Sequence, residues 1–233
     1  MDKQIILITG TRKGIGKALA EHYIGLGHTV IGCSRGEVNF AVKNYTHFSL
    51  DIIDERSVKM MFSYIKKSYN RLDVLINNAG INLSLSPMLL VSYKSALRTL
   101  ETNFLGTFLM SREAVRIMMK NSYGRIINFG SMAVRHEVKG EAIYTASKAA
   151  VISYTRVMAK EIYDYGITCN VIAPSALQTD LIDSIDIKEL ENVLQRNAIH
   201  GLGKMEDIYS VADFLIEKKS KAITGQVIYL GGV

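Results

Sequence analysis

Short apolar runs alternate along the chain with longer stretches of helical periodicity. Lys3–Thr9 (KQIILIT) is too continuously apolar for a half-exposed strand and reads as a parallel strand buried on both faces. Ile15, Ala18, Leu19, Tyr23 and Leu26 recur at helical spacing, which predicts a helix over Ile15–Leu26 closed by Gly25 and Gly27. Thr29–Cys33 and Thr46–Leu50 are the second and third strands, and Asp54 caps a helix over Asp54–Tyr69. A fourth strand at Val74–Ile76 runs into the sequence NNAG, and one long helix is predicted over Tyr93–Lys120. Arg125–Phe129 is a fifth strand, Tyr144–Tyr165 a helix, Thr168–Ile172 a sixth strand, and the last strand falls within Ala222–Tyr229. Pro174–Gly203 carries weak packing signals and is a candidate substrate lid.

Such alternation predicts a single α/β domain, a doubly wound parallel sheet with helices on both faces. Ligands in these sheets bind beyond the carboxyl ends of the strands, near the point where strand order reverses. The Gly-rich first turn, NNAG, GSM and APS all fall there.

The 233 residues are 48% hydrophobic, enough for one core without a disulfide or metal. Cys33 and Cys169 sit in apolar runs and read as buried thiols, and no Cys/His cluster has metal-ligand spacing. The first apolar run is too short for a signal peptide, and no run approaches the roughly 18 residues of a membrane span, so a cytoplasmic setting is expected. The net charge is +6, but Lys and Arg are scattered, which speaks against nucleic acid as a partner.

Chemistry enters with the first turn, Thr9-Gly10-Thr11-Arg12-Lys13-Gly14-Ile15-Gly16. Gly10, Gly14 and Gly16 let backbone approach a pyrophosphate, and the next helix offers it free N–H groups and a positive dipole end. The spacing differs from G-x-G-x-x-G, so position after a strand carries the assignment. The second strand ends Ser34-Arg35, with a cation where an acidic residue would accept from a ribose 2′-hydroxyl. Arg12, Lys13 and Arg35 therefore point to NADP(H), although Glu37 lies close in sequence.

Tyr144 and Lys148 share a helix face at i, i+4. A nearby ammonium and an oxidised nicotinamide are expected to lower the tyrosine pKa from about 10, making it a proton donor and acceptor at a carbonyl oxygen. Ser131, after the fifth strand, can hydrogen-bond the same oxygen.

With these residues in place, the chain resembles the short-chain dehydrogenase/reductase family. The motifs run in order through nearly the whole chain: TGTRKGIG at Thr9–Gly16, Asp51, NNAG at Asn77–Gly80, Asn103, Ser131, YTASK at Tyr144–Lys148 and APS at Ala173–Ser175. The resemblance implies a Rossmann-type fold. It implies that Asn103, Ser131, Tyr144 and Lys148 are catalytic, Asn103 holding a water that links Lys148 to solvent or, alternatively, bonding backbone in a kinked helix. Lys148 would also bind the nicotinamide ribose, and Asp51 the adenine unless it is only a loop cap. Asn78, Ala79 and Gly80 would line the cofactor path, while Asn77 ties strands together. Ile15, Pro174, Leu177 and Thr179 would position the nicotinamide. Two departures stand out: Ser175 replaces the usual Gly after the proline, and the chain stops at YLGGV, without a longer tail.

The overall pattern looks most like 3-oxoacyl-carrier-protein reductases, which implies an acyl-thioester carbonyl substrate on an acidic acyl carrier protein. Lys120, Arg125 and Arg135 are candidates for its docking face. Met88, Leu89, Leu90, Leu177, Leu181 and Ile182 are candidates for an apolar pocket or, equally, for core. The alternatives are a reductase or dehydrogenase of a free sugar, alcohol or secondary-metabolite ketone, and a catalytically silent dinucleotide sensor. The resemblance also implies a homotetramer, or else a homodimer, formed through the two long helices, which carry Phe104, Phe108, Met110, Met118 and Met119 beyond one sheet-facing stripe.

Overall fold

The computed structural model describes residues 2–38, 42–83, 86–177 and 194–232. Among them, strands β1 (Ile5–Thr9), β2 (Thr29–Ser34), β3 (Tyr45–Ser49), β4 (Val74–Asn77), β5 (Gly124–Phe129), β6 (Ile167–Ala173) and β7 (Val227–Tyr229) form one parallel sheet. Its order is β3-β2-β1-β4-β5-β6-β7, so the chain winds outward from β1 in one direction and then, from β4, in the other. The helices are α1 (Gly14–Gly25), α2 (Glu55–Tyr69), α3 (Tyr93–Leu100), α4 (Gly106–Met118), α5 (Ala133–His136), α6 (Ala142–Ile162) and α7 (Met205–Ile216).

The continuous apolar reading of β1 has a direct cause. Leu7 faces one layer with Ile31, Met61, Leu75 and Met110, while Ile6 and Ile8 face the other with Leu19, Tyr23, Val30 and Leu215. A strand covered on both faces has no position to give to water. The expected N-cap is present: Asp54 accepts from the amide of Arg56 at 3.1 Å.

The structure corrects the sequence in three places. The long helix over Tyr93–Lys120 is broken by a π-helical segment, Glu101–Leu105, between α3 and α4. Helix α7 was not expected. It buries Ile208, Ala212, Leu215 and Ile216 at helical spacing, but it starts at Lys204, so the usual Ser, Thr, Asn or Asp start signal is missing. Met110 and Met118 are fully buried in the core, so they add nothing to a surface on α4.

Arg125 is a further correction. It is 2% exposed and lies at the amino end of β5, the opposite end from the ligand side of the sheet. Its guanidinium donates to the carbonyl oxygens of Gly124, Gly166, Glu217 and Lys218 at 2.8–3.3 Å and lies 4.5 Å from the Tyr123 ring centroid. Lys120 precedes the same strand end. Of the three candidate docking cations only Arg135, in α5 after Ser131, sits at the carboxyl side. Arg125→Leu leaves several carbonyls without a donor and is expected to lower unfolding stability by about 2–3 kcal/mol. Urea denaturation measures this, with dinucleotide affinity unchanged.

Candidate functional site

The first turn is held against its neighbours by a small set of bonds. Gly10, at φ 77°, donates from its amide to the Cys33 carbonyl at 2.7 Å. Thr9 Oγ1 accepts from the amides of Asn78 and Ala79 at 3.0 and 2.9 Å, and Asn78 Nδ2 donates back to the Thr9 carbonyl at 2.9 Å. A Cβ on Gly16 would collide with the Gly10 carbonyl and the Asn78 side chain, so only glycine lets α1 start this close to the turn. Asn77 turns the other way, its Nδ2 donating to Asn128 Oδ1 on β5 at 2.8 Å.

At the start of α1, Lys13 offers no side-chain cap and the first turn holds no acidic residue. The first amides of the helix, from Gly14, Ile15 and Gly16, thus face an open dipole end that suits an anion. Ile15 packs against the apolar layer beneath. Arg12 reaches across to the turn after β2: a Cβ on Gly36 would stand 3.2 Å from Arg12 Nη1. Arg12 and Arg35 are exposed and form no ion pair among the described residues, while Ser34 is half-buried at the end of β2. These donors fit a pyrophosphate at the helix and a further phosphate at the β2 turn. Asp51 serves the loop: Oδ1 accepts from the Ile53 amide at 3.3 Å, and Oδ2 pairs with Arg98 of α3 at 2.5 Å.

The proposed catalytic side chains converge at the carboxyl ends of β4 and β5. Ser131 Oγ accepts from the Ala133 amide at 3.1 Å and hydrogen-bonds the Tyr144 hydroxyl. Lys148 is buried, donates to the Phe129 carbonyl at 2.9 Å, and places Nζ 5.9 Å from the Tyr144 ring centroid. Gly80 completes the corner, since a Cβ there would lie 3.3 Å from both Lys148 Nζ and Asn103 Oδ1. Asn103 sits in the π segment, where an extra residue per turn re-aims side chains. Its Oδ1 accepts from the Ile81 amide at 2.8 Å, and its Nδ2 donates to the Ile81 carbonyl and to Ser147 Oγ, both at 2.9 Å. The side chain thus bonds backbone from within a kinked helix.

In the protein alone, burial pushes Tyr144 up to about 12, the hydrogen bond with Ser131 opposing the rise and the charge of Glu141 adding to it. Lys148 is itself buried, which brings its ammonium down to about 8.

Glu141 was missed by the sequence reading. It lies three residues before Tyr144, on the same helix side, and its Oε1 accepts from Asn82 Nδ2 at 3.0 Å. Burial raises its carboxyl above the ordinary range, against the Asn82 bond. The i−3 spacing from the tyrosine was the available signal.

The remaining candidates divide. The Pro174 carbonyl accepts from the Met132 amide at 3.1 Å, beside Ser131. Ser175 accepts from Asn197 Nδ2 at 2.7 Å, and Asn197 Oδ1 meets His136 Nε2 at 2.9 Å, so the residue in place of the usual Gly is bonded in. Leu177 is buried in the core, whereas Met88, Leu89 and Leu90 are 67%, 89% and 76% exposed and are no part of that core. Thr179, Leu181 and Ile182 lie outside the described residues.

The Lys148 shift has a consequence for stability. Between about 8 and its ordinary 10.5 the unfolded chain binds more protons than the folded one, so stability rises with pH there, and the cost of the buried ammonium is fully present below. Lys148→Met removes that cost, offset in part by the loss of the Phe129 bond. Without dinucleotide, the variant is expected to melt above the native protein near neutral pH, the gap closing across that window, while turnover and dinucleotide affinity both fall. Scanning calorimetry against pH checks the first part, and titration with reduced dinucleotide the second.

Comparison with known proteins agrees with this geometry. The 3-oxoacyl-(acyl-carrier-protein) reductase of Buchnera aphidicola subsp. Baizongia pistaciae is 33% identical, covering 99% of this chain and 96% of its own. The enzyme of that name from Escherichia coli is 30% identical over 98% of this chain and 96% of its own. Among solved structures, ElxO with NADP bound superposes with a TM-score of 0.89 at 31% identity, covering 98% of this chain and 97% of that one. The aldohexose dehydrogenase of Thermoplasma acidophilum gives 0.88 at 27%, covering 99% and 93%. The family described as short chain dehydrogenase matches residues 4–190. With the Tyr144–Lys148 pair, the open start of α1 and the β1/β4 switch point, these matches establish the chain as an oxidoreductase belonging to the short-chain dehydrogenase family.

Proposed function

We propose that this protein is an NADP(H)-dependent reductase that converts the carbonyl of a 3-oxoacyl thioester to a secondary alcohol. The observation that carries the chemistry is the Ser131–Tyr144 hydroxyl pair with Lys148 one helical turn on, at the carboxyl ends of β4 and β5. Reduced dinucleotide, when bound, supplies the hydride. Ser131 donates a hydrogen bond to the substrate oxygen and holds it beside Tyr144. Tyr144, kept protonated by its raised pKa, gives its proton to that oxygen. Lys148 has donors to spare beyond the Phe129 carbonyl and binds the nicotinamide ribose from the Gly80 corner. Asn103 positions the catalytic helix through Ser147, whose hydroxyl donates to the Tyr144 carbonyl at 2.6 Å. The first amides of α1 hold the pyrophosphate, and Asn78 keeps their turn in place. Ala79, Gly80 and Pro174 border the nicotinamide, Asp51 the adenine, and Ser34, Arg35, Arg12 and Lys13 the 2′-phosphate.

The thioester reading is supported by relatives of that name covering nearly the whole chain and by the net charge of +6, which steers an acidic carrier toward the protein. NADP(H) is supported by the Arg12–Gly36 contact and by ElxO, with NADP in one structure and NADPH in another. A homotetramer, or else a dimer, is supported by exposed Leu97, Leu100, Leu105, Phe108 and Val157 on α3, the π segment, α4 and α6. A second reading, a dehydrogenase of a free polyhydroxylated substrate, is favoured by one feature: the Glu141–Asn82 pair puts a carboxyl acceptor one turn from Tyr144.

The test compares NADPH oxidation with a 3-oxoacyl group on carrier protein, the same group on a small thiol, and free ketones and aldoses. The carrier form is expected to have the highest kcat/KM, falling with added salt. Equal rates on carrier and small thiol remove docking, and a free ketone or aldose outpacing both removes the thioester. Tyr144→Phe is expected to lose roughly 10²–10⁴-fold in turnover while binding NADPH normally. Arg35→Glu is expected to weaken NADPH by about 1.5–3 kcal/mol in a direct titration, and NADH much less.

A further inference from the structure

Below the turn that carries Ser34 and Arg35 lies a connected set of hydrogen bonds. Tyr45 rises through the apolar layer under α1, and its hydroxyl stands 3.0 Å from Thr11 Oγ1 and 2.9 Å from His47 Nδ1. On the far side of the imidazole, Nε2 lies 3.1 Å from Ser34 Oγ and 3.1 Å from the Gly36 carbonyl oxygen. Ser34 Oγ donates to that same carbonyl at 2.7 Å. The set joins the first turn, the end of β2 and strand β3. Space for it exists because position 32 is glycine: a Cβ there would collide with the Tyr45 hydroxyl and Thr11 Oγ1.

The partners assign the histidine tautomer. The Gly36 carbonyl only accepts, so Nε2 carries the proton, and Nδ1 accepts from the Tyr45 hydroxyl. Ser34 is affected directly. The Gly36 carbonyl has two donors within reach, Ser34 Oγ–H and His47 Nε2–H. When Ser34 turns its proton toward an anion, the imidazole still serves the carbonyl, and no acceptor is left unpaired. Nε2–H also reaches Ser34 Oγ, which polarises that hydroxyl toward donation. Arg12 lies along the other side of the same turn, 3.2–3.3 Å from where a Gly36 Cβ would stand.

We infer that His47 is the positioning residue that shapes the Ser34–Gly36 turn for a phosphate ester on the adenosine ribose, and that discrimination between NADP(H) and NAD(H) acts through it. A phosphate monoester needs several donors converging from fixed directions, whereas a ribose hydroxyl needs one partner. Arg12 and Arg35 supply charge whether or not the turn is ordered. Only an ordered turn presents Ser34 as a hydroxyl donor in the same turn, and His47 is the group that releases Ser34 from Gly36. The inference rests on the NADP(H) reading above.

The experiment titrates NADPH and NADH by nicotinamide fluorescence, and 2′,5′-ADP and 5′-AMP by calorimetry, against the native protein, His47→Leu, His47→Gln and Gly32→Ala. His47→Leu is expected to weaken NADPH and 2′,5′-ADP about tenfold, the scale of one hydrogen bond in a charged site, and to leave NADH and 5′-AMP nearly unchanged. His47→Gln, whose amide can serve the Gly36 carbonyl, is expected to recover most of the loss. Gly32→Ala, which displaces Tyr45 and Thr11, is expected to repeat the selective weakening. Equal weakening of both dinucleotides by His47→Leu shows a merely structural role and overturns the inference, as does an unchanged preference for NADPH. A native protein that prefers NADH overturns the NADP(H) reading itself, which separates that failure from a failure of His47.

Discussion

Thr9 Oγ1 accepts two backbone amides from the turn after β4, and the Asn78 side chain returns a bond to the Thr9 carbonyl. This exchange joins the two loops on either side of the point where the sheet changes direction. Parallel strands leave their loops at the same end of the sheet, but nothing in the ladder itself fixes the distance between those loops. Here the distance is set by side-chain bonds, and every ligand-facing group inherits it. The amides of α1 face outward because Gly10 and Gly16 let the helix begin against this joint. Gly80 meets Lys148 because the same joint places the NNAG turn over β5.

Two buried cations show how burial is put to different uses. Arg125 and Lys148 are 2% and 5% exposed, and burial lowers the pKa of each. Arg125 donates to four carbonyl oxygens and joins the ends of β5, β6 and α7. Lys148 donates to one, the Phe129 carbonyl, among the described residues. An ammonium has three donors, so Lys148 can serve a ligand's hydroxyls as well as the Phe129 carbonyl. Tyr144 fits the same description: a phenol held protonated by burial is costly to ionise and well placed to donate.

The π segment links chemistry to architecture. Asn103 reaches two places from it: the loop after β4 through both Ile81 backbone groups, and α6 through Ser147. A regular α-helix over the same residues would rotate Asn103 away from one of these partners. The Ser175–Asn197–His136 chain does comparable work on the other side, tying the segment after β6 to α5.

The sequence by itself determined the layers. Apolar runs and helical spacing located the seven strands and helices α1, α2 and α6, because burial leaves a pattern in composition. It also determined the chemical roster: Tyr144 and Lys148 share a face by helical geometry alone, and the Gly-rich turn is defined by its position after β1. Other features existed only in the tertiary structure. Whether Arg125 is a surface cation or a caged one depends on carbonyls from residues 166, 217 and 218. The direction of the Tyr144 shift depends on desolvation, which no spacing encodes. The π segment depends on Ile81 and Ser147 both holding Asn103, and the His47 set on Gly32 leaving room between neighbouring strands. The common reason is that these features are contacts between residues far apart in the chain, and a local pattern carries no record of which distant group will arrive.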